Sequence, residues 1–145
     1  MIFFASDVHL SSDTPAITAR FLSFLERARR EAQSVYLLGD IFESWVGDED
    51  LGLKAYQPVF HALKETVQAG VAVYFMAGNR DFMVSDHVLA ELGLTQSPDK
   101  QWHGKKSDGG RHYCRNKVST YFSNLITQYL ADTLSFSKVC LQHSQ

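Results

Sequence analysis

Three apolar runs set the frame of this chain: Met1 to Ser6, Ser34 to Leu38 and Val71 to Met76. Each is too short for a buried helix and rich in β-branched or aromatic residues, which predicts strands covered on both faces. Between them, apolar residues return at helical spacing, first through Ile17, Phe21, Phe24, Leu25 and Ala28, then through Phe60, Leu63 and Val67. Asp13-Thr14-Pro15 predicts the start of the first helix, with a capping side chain followed by proline at the first helical position. The second helical pattern covers residues 53 to 69 and closes at Gly70, a residue suited to a left-handed cap. It begins near Gln57 with Pro58 in its first turn, or begins earlier and is kinked there. A shorter third helix is predicted from a Ser85 cap through Val88, Leu89 and Leu92 to Gly93.

Strand and helix alternating in this way predict an α/β fold, a parallel sheet with right-handed crossovers and covering helices. The three strands then end at one carboxyl edge, where such folds build their sites. Each ends in polar residues: Asp7-Val8-His9, Gly39-Asp40 and Gly78-Asn79-Arg80-Asp81. Asp7 and His9, two apart on an extended segment, point the same way and supply a carboxylate and an imidazole, half of a metal site. Asn79 offers a neutral oxygen to a hard cation or a phosphate, and Arg80 a fork suited to phosphate oxygens. Taken singly, each stretch equally suits a surface turn. Their convergence on one edge is what favours a site. In the loop after Asp40, Phe42 and Trp45 read as anchors on the core, with a greasy substrate pocket as the alternative, and Asp48 to Asp50 as a solvated run. His61 reads as a surface or core histidine.

Composition adds limits. The 145 residues suffice for one domain with a core, and 45% apolar content is ordinary for a globular protein. A formal net charge of −2 gives no field to attract nucleic acid, and Arg27, Arg29 and Arg30 read as the solvated end of a helix. Cys114 and Cys140 form no Cys-x-x-Cys pair, so neither a disulfide framework nor a structural zinc site is indicated. No apolar run approaches the roughly 20 residues that span a bilayer, and the start lacks a signal-peptide form, which together predict a cytosolic protein.

Asp7-x-His9, Gly39-Asp40 and Gly78-Asn79, in this order and each after a strand, resemble the calcineurin-like metallophosphoesterases. Within that superfamily, Gly78-Asn79-Arg80-Asp81-Phe82 is similar to the UDP-2,3-diacylglucosamine hydrolases of lipid A biosynthesis, as are Pro15-Ala16-Ile17-Thr18, the stretch from Leu38 to Asp48, and Tyr74-Phe75. The resemblance implies two divalent ions, usually manganese, with Asp7 and His9 on one, Asp40 bridging, and Asn79 on the second. Asn79 and Arg80 would hold the substrate, UDP-2,3-diacylglucosamine. Water attack on its diphosphate would yield UMP and the diacylated sugar 1-phosphate, at the cytoplasmic face of the bacterial inner membrane. Two cations about 3.5–4 Å apart suit that chemistry, activating the water and neutralising the displaced phosphate oxygens. Other phosphoesterases of the superfamily, acting on smaller phosphoesters, are the alternative.

The resemblance covers residues 1 to about 94, read as a partial metallophosphoesterase domain and the N-terminal half of its sandwich. A His-Gly-Asp and a Gly-His-x-His segment, which complete the metal shell in such enzymes, do not occur here, and His103, His112 and His143 stand outside any such motif. Thr95 to Arg115 reads as a polar linker. Val118 to Leu134 carries helical spacing, for one amphipathic helix of unassigned role. The expectation is an inactive form from a truncated or frame-shifted gene, or a metal-binding fragment without catalysis.

Overall fold

A computed structural model describes residues 1–97 together with the backbone of 137 and 138. The first strand, β1 (Ile2–Ala5), leads into α1 (Pro15–Glu31), β2 (Ser34–Leu38), a 3-10 turn (Asp48–Gly52), α2 (Gln57–Gln68), β3 (Ala72–Met76), α3 (Asp86–Leu92), β4 (Thr95–Gln96) and β5 (Ser137–Lys138). The three expected strands and three expected helices are all present. Of the two starts open to α2, the one near Gln57 with proline in the first turn is found.

The described strands form one sheet in the order β4-β3-β2-β1-β5, with every pairing parallel. In register, Phe3 pairs with Val35 and Val35 with Val73, while Phe4, Tyr36 and Tyr74 form the next row. Alternate residues therefore face opposite sides. Phe3, Ala5, Val35, Leu37, Val73 and Phe75 join the core beneath α1 and α2. On the other face Phe4 stacks on Tyr36 at 5.3 Å and Tyr36 on Tyr74 at 4.7 Å. These are cross-strand aromatic pairs of the kind that stabilise neighbouring strands.

The helices sit where their apolar stripes require. Phe21, Phe24, Leu25 and Ala28 of α1 are buried, as are Val59, Phe60 and Leu63 of α2. Each large side chain so buried stabilises the fold by about 1.5–3 kcal/mol. The aromatic residues of α1 are thus core, as the spacing predicts. Its basic end is more engaged than a solvated terminus: Arg29 bridges to Glu65 of α2 at 2.6 Å, and Arg27 lies over the Phe3 ring. Arg29 and Arg30 also favour the negative end of the helix dipole.

Other local expectations are corrected. Thr14 is the N-cap of α1 but makes no side-chain cap bond, its hydroxyl turning to the Ser11 carbonyl instead. Asp48 to Asp50 is no uniform solvated loop, because it folds into the 3-10 turn and buries Asp50, whose carboxylate accepts from the Val46 amide. Thr95 opens no linker but pairs with β3, placing a short fourth strand there. The remaining linker, the helix expected over 118 to 134, and His103, His112 and His143 lie outside the described residues.

Candidate metal centre

Past their last paired residues, β1 and β2 continue side by side as loops. The Asp7 amide donates to the Gly39 carbonyl, the His9 amide to that of Asp40, and the Leu10 amide to that of Ile41, at 2.8–3.1 Å. Asp7, His9 and Asp40 have φ of 54°, 54° and 52°, the only non-glycine residues with positive φ among those described. The spacing argument had placed Asp7 and His9 on an extended segment. They meet at one point for a different reason: two left-handed residues flank Val8, which is buried beneath them. Aspartate and histidine tolerate this conformation better than most residues. Such strain collects at functional sites.

The outcome is a cluster in which one donor atom from each of Asp7, His9 and Asp40 lies within 4.8 Å of the others. Two carboxylates and an imidazole suit a divalent cation of the first transition row, and these three side chains can hold one. None of the three is fully buried, so a solvent ligand or phosphate can reach the ion as well.

The loop after β3 closes against the same place. A Cβ on Gly78 would overlap the amide nitrogen and carboxylate of Asp40, and a Cβ on Gly39 would lie 2.9 Å from the Gly78 Cα. Both positions need glycine for this close approach, and Gly39, at φ 91°, needs it for its own backbone. Asp40 Oδ1 accepts from the Arg80 amide at 2.8 Å, so Asn79, between these contacts, sits on the same sheet edge as Asp40. The sequence had placed Asn79 and Arg80 there. Both are exposed.

Two further residues matter that the sequence reading did not single out. Asp81 is fully buried, and its carboxylate accepts from four backbone amides, those of Gly78 at 2.7 Å, Ile41 at 2.8 Å, Asp40 at 3.2 Å and Phe42 at 3.3 Å. Burial pushes its pKa up, the amides of Gly78, Ile41 and Phe42 pull it back, and the Asp40 charge raises it again. It clamps the second loop to the third. Glu43 lies between His9 and Arg80, one oxygen 2.7 Å from His9 Nδ1 and the other 2.7 Å from Arg80 Nη1. The sequence signal for both was proximity alone: each lies within three residues of a predicted ligand.

Beneath this edge, Phe42 and Trp45 pack with Tyr56 and Phe60, ring centres 5.0–6.5 Å apart. They are core anchors of the loop, as expected, since both are buried. The Tyr56 hydroxyl donates to the Leu10 carbonyl at 3.1 Å, tying α2 to the first loop. His61, mostly exposed, lies 3.3 Å from Glu65 one turn along α2, which agrees with a surface histidine.

No family model matches the chain. Among curated proteins it is 45% identical over 98 residues to UDP-2,3-diacylglucosamine hydrolase of Yersinia enterocolitica, a match covering 68% of this chain and 40% of that protein. Against the enzymes of the same name from an Enterobacter strain and from Pseudomonas paraeruginosa it is 44% and 42% identical over 101 and 99 residues, again across 40% of each. Two thirds of the chain is homologous to the UDP-2,3-diacylglucosamine hydrolases. The chain spans about 40% of the length of those relatives. Among solved structures, a nuclease MPE from Pseudomonas putida aligns with a TM-score of 0.48 at 20% identity, over 65% of this chain and 46% of its own. The hydrolase homology agrees with the resemblance carried by the strand-end residues.

Proposed function

We propose that this chain carries the N-terminal part of a UDP-2,3-diacylglucosamine diphosphatase site, hydrolysing the diphosphate to UMP and 2,3-diacylglucosamine 1-phosphate. The observation that carries the reading is the convergence of Asp7, His9 and Asp40 in a chain homologous to hydrolases of that name. Asp7 and His9 would hold one divalent ion, Asp40 would face both ions of a pair, and Asn79 would give its amide oxygen to the second. Manganese suits this mixture of oxygen and imidazole donors. When bound, two such ions activate a water and neutralise the displaced phosphate oxygens.

The protein's own part is positioning. Asp81 holds the backbones of Asp40 and Gly78 in place. Arg80 has no lone pair for a metal and several donors for phosphate, so it binds the substrate's diphosphate rather than an ion. No helix among the described residues is long and apolar enough to cross a membrane. Contact with the acylated substrate at the cytoplasmic surface of the inner membrane, reached peripherally, is part of this proposal and rests on the hydrolase homology.

Ligand count argues that the chain by itself turns over poorly. Asp7, His9, Asp40 and Asn79 must serve two ions with Asp40 shared, and a two-metal mechanism needs both ions at a set separation. The test is the purified 145-residue protein with excess manganese and authentic substrate, followed by release of UMP. Manganese binding that is lost in Asp40→Ala, with UMP release far below that of an intact relative, is the expected result. Turnover equal to the relative's would overturn the ligand count, and absence of any metal binding would overturn the site.

A further inference from the structure

Three backbones meet at Glu43. Its amide donates to the Leu10 carbonyl at 2.9 Å, and two residues on the Trp45 amide donates to the Arg80 carbonyl at 3.2 Å. The side chain then reaches back across the site, with Oε2 on His9 Nδ1 and Oε1 on Arg80 Nη1, both at 2.7 Å. Each partner stays partly in solvent: 25% of the His9 side chain, 41% of Glu43 and 55% of Arg80 are exposed. Polar contacts this open contribute little to folding. What they fix is local geometry.

We propose that Glu43 is a positioning residue for the metal ligand His9. A carboxylate only accepts hydrogen bonds, so the proton of the neutral imidazole is held on Nδ1 and the Nε2 lone pair is the one offered to a cation. Arg80, always protonated, donates to the other oxygen and prevents the carboxylate from turning away from His9. A metal-bound histidine whose second nitrogen donates to a carboxylate has a fixed ring orientation and greater basicity, and loss of such a partner typically lowers metal affinity by about 10–100-fold. The inference rests on the reading of Asp7, His9 and Asp40 as metal ligands, but its first test does not.

That test is the ring-proton to nitrogen correlation pattern of His9 in the metal-free 145-residue protein, labelled at histidine nitrogen. Recorded at alkaline pH, the pattern distinguishes which ring nitrogen carries the proton. Wild type is expected to show the proton on Nδ1. Glu43→Gln keeps the shape, yet Arg80 still donates, so the amide oxygen turns to Arg80 and its NH₂ faces His9. The proton is then expected on Nε2. Glu43→Ala is expected to lose the Nδ1 pattern as well, and if it fails to fold, the isosteric glutamine variant carries the result.

The second readout is manganese affinity from the resonance of free Mn²⁺. It is expected to fall about 10–100-fold in Glu43→Gln with circular dichroism unchanged. An Nδ1 pattern that persists in both variants, or an Nε2 pattern in wild type, overturns the proposal. Altered tautomers with unaltered manganese affinity also overturn it. If no protein in the set binds manganese, the metal reading fails, while the tautomer pattern still decides what Glu43 does to His9.

Discussion

Asp81 acts entirely through backbone. Removing its carboxylate in Asp81→Ala strands four amide donors, of which those of Ile41 and Phe42 bond in a buried setting. An unsatisfied buried donor costs about 1–3 kcal/mol, so urea unfolding should show a loss of at least ~2 kcal/mol together with loss of manganese binding. Tyr56 gives a prediction in pH. Burial, then the charges of Asp50 and Glu43, raise its phenol above the usual value near 10. The unfolded chain releases that proton first, so stability is level below about pH 10 and declines as pH rises from there toward the folded pKa. Tyr56→Phe should flatten this alkaline decline in thermal melts, and an unchanged slope would show that another group causes it. The placement of Asp7, His9, Asp40, Asn79 and Arg80 at one sheet edge was legible because each closely follows a strand in sequence. Glu43 and Asp81 were not, since their roles arise from contacts with residues 34 to 41 positions away, and no local pattern encodes those.

At the scale of elements, the two caps separate what composition cannot. Ser85 accepts from the Val88 amide, whereas Thr14 makes no such bond. Ser85→Ala should therefore destabilise the fold by about 1 kcal/mol in equilibrium unfolding, and Thr14→Ala by clearly less. Equal losses would mean that side-chain capping is not what distinguishes the two helix starts. Both sites have cap-like sequences, and only the direction of the hydroxyl tells them apart. The helices themselves were readable because their buried stripes keep the 3.6-residue period. The 3-10 turn was not, because a run of acids gives the same pattern whether it is solvated or, like Asp50, folded back onto a neighbouring amide.

For the molecule as a whole, the sheet brings loops from β1, β2 and β3 to one edge, and a cation held there ties segments more than 30 residues apart in sequence, from Asp7 to Asp40. An ion that binds only the folded state stabilises it by mass action. At free manganese about 100-fold above its dissociation constant the gain is ~2.7 kcal/mol, to be read as a rise in melting temperature that a chelator reverses. No rise would indicate that the three donors do not hold an ion together. The parallel order of the first three strands followed from alternation with helices. The short β4 and β5 did not, since two-residue strands carry no period and exist only through their pairing with β3 and β1.

The left-handed pair flanking Val8 has one more implication, for how the site would behave under selection. Glycine takes a φ of 54° without a side-chain clash, so Asp7→Gly and His9→Gly relieve strain that offsets much of glycine's extra entropy in the unfolded chain, about 0.5–1 kcal/mol. Val8→Gly removes a fully buried side chain worth about 1.5–3 kcal/mol and relieves nothing. A library screened only for folding would thus keep Val8 and let glycine drift into the positions on either side of it. The same library screened for manganese binding would do the reverse at Asp7 and His9, so comparing the two screens would locate the site with no substrate in hand.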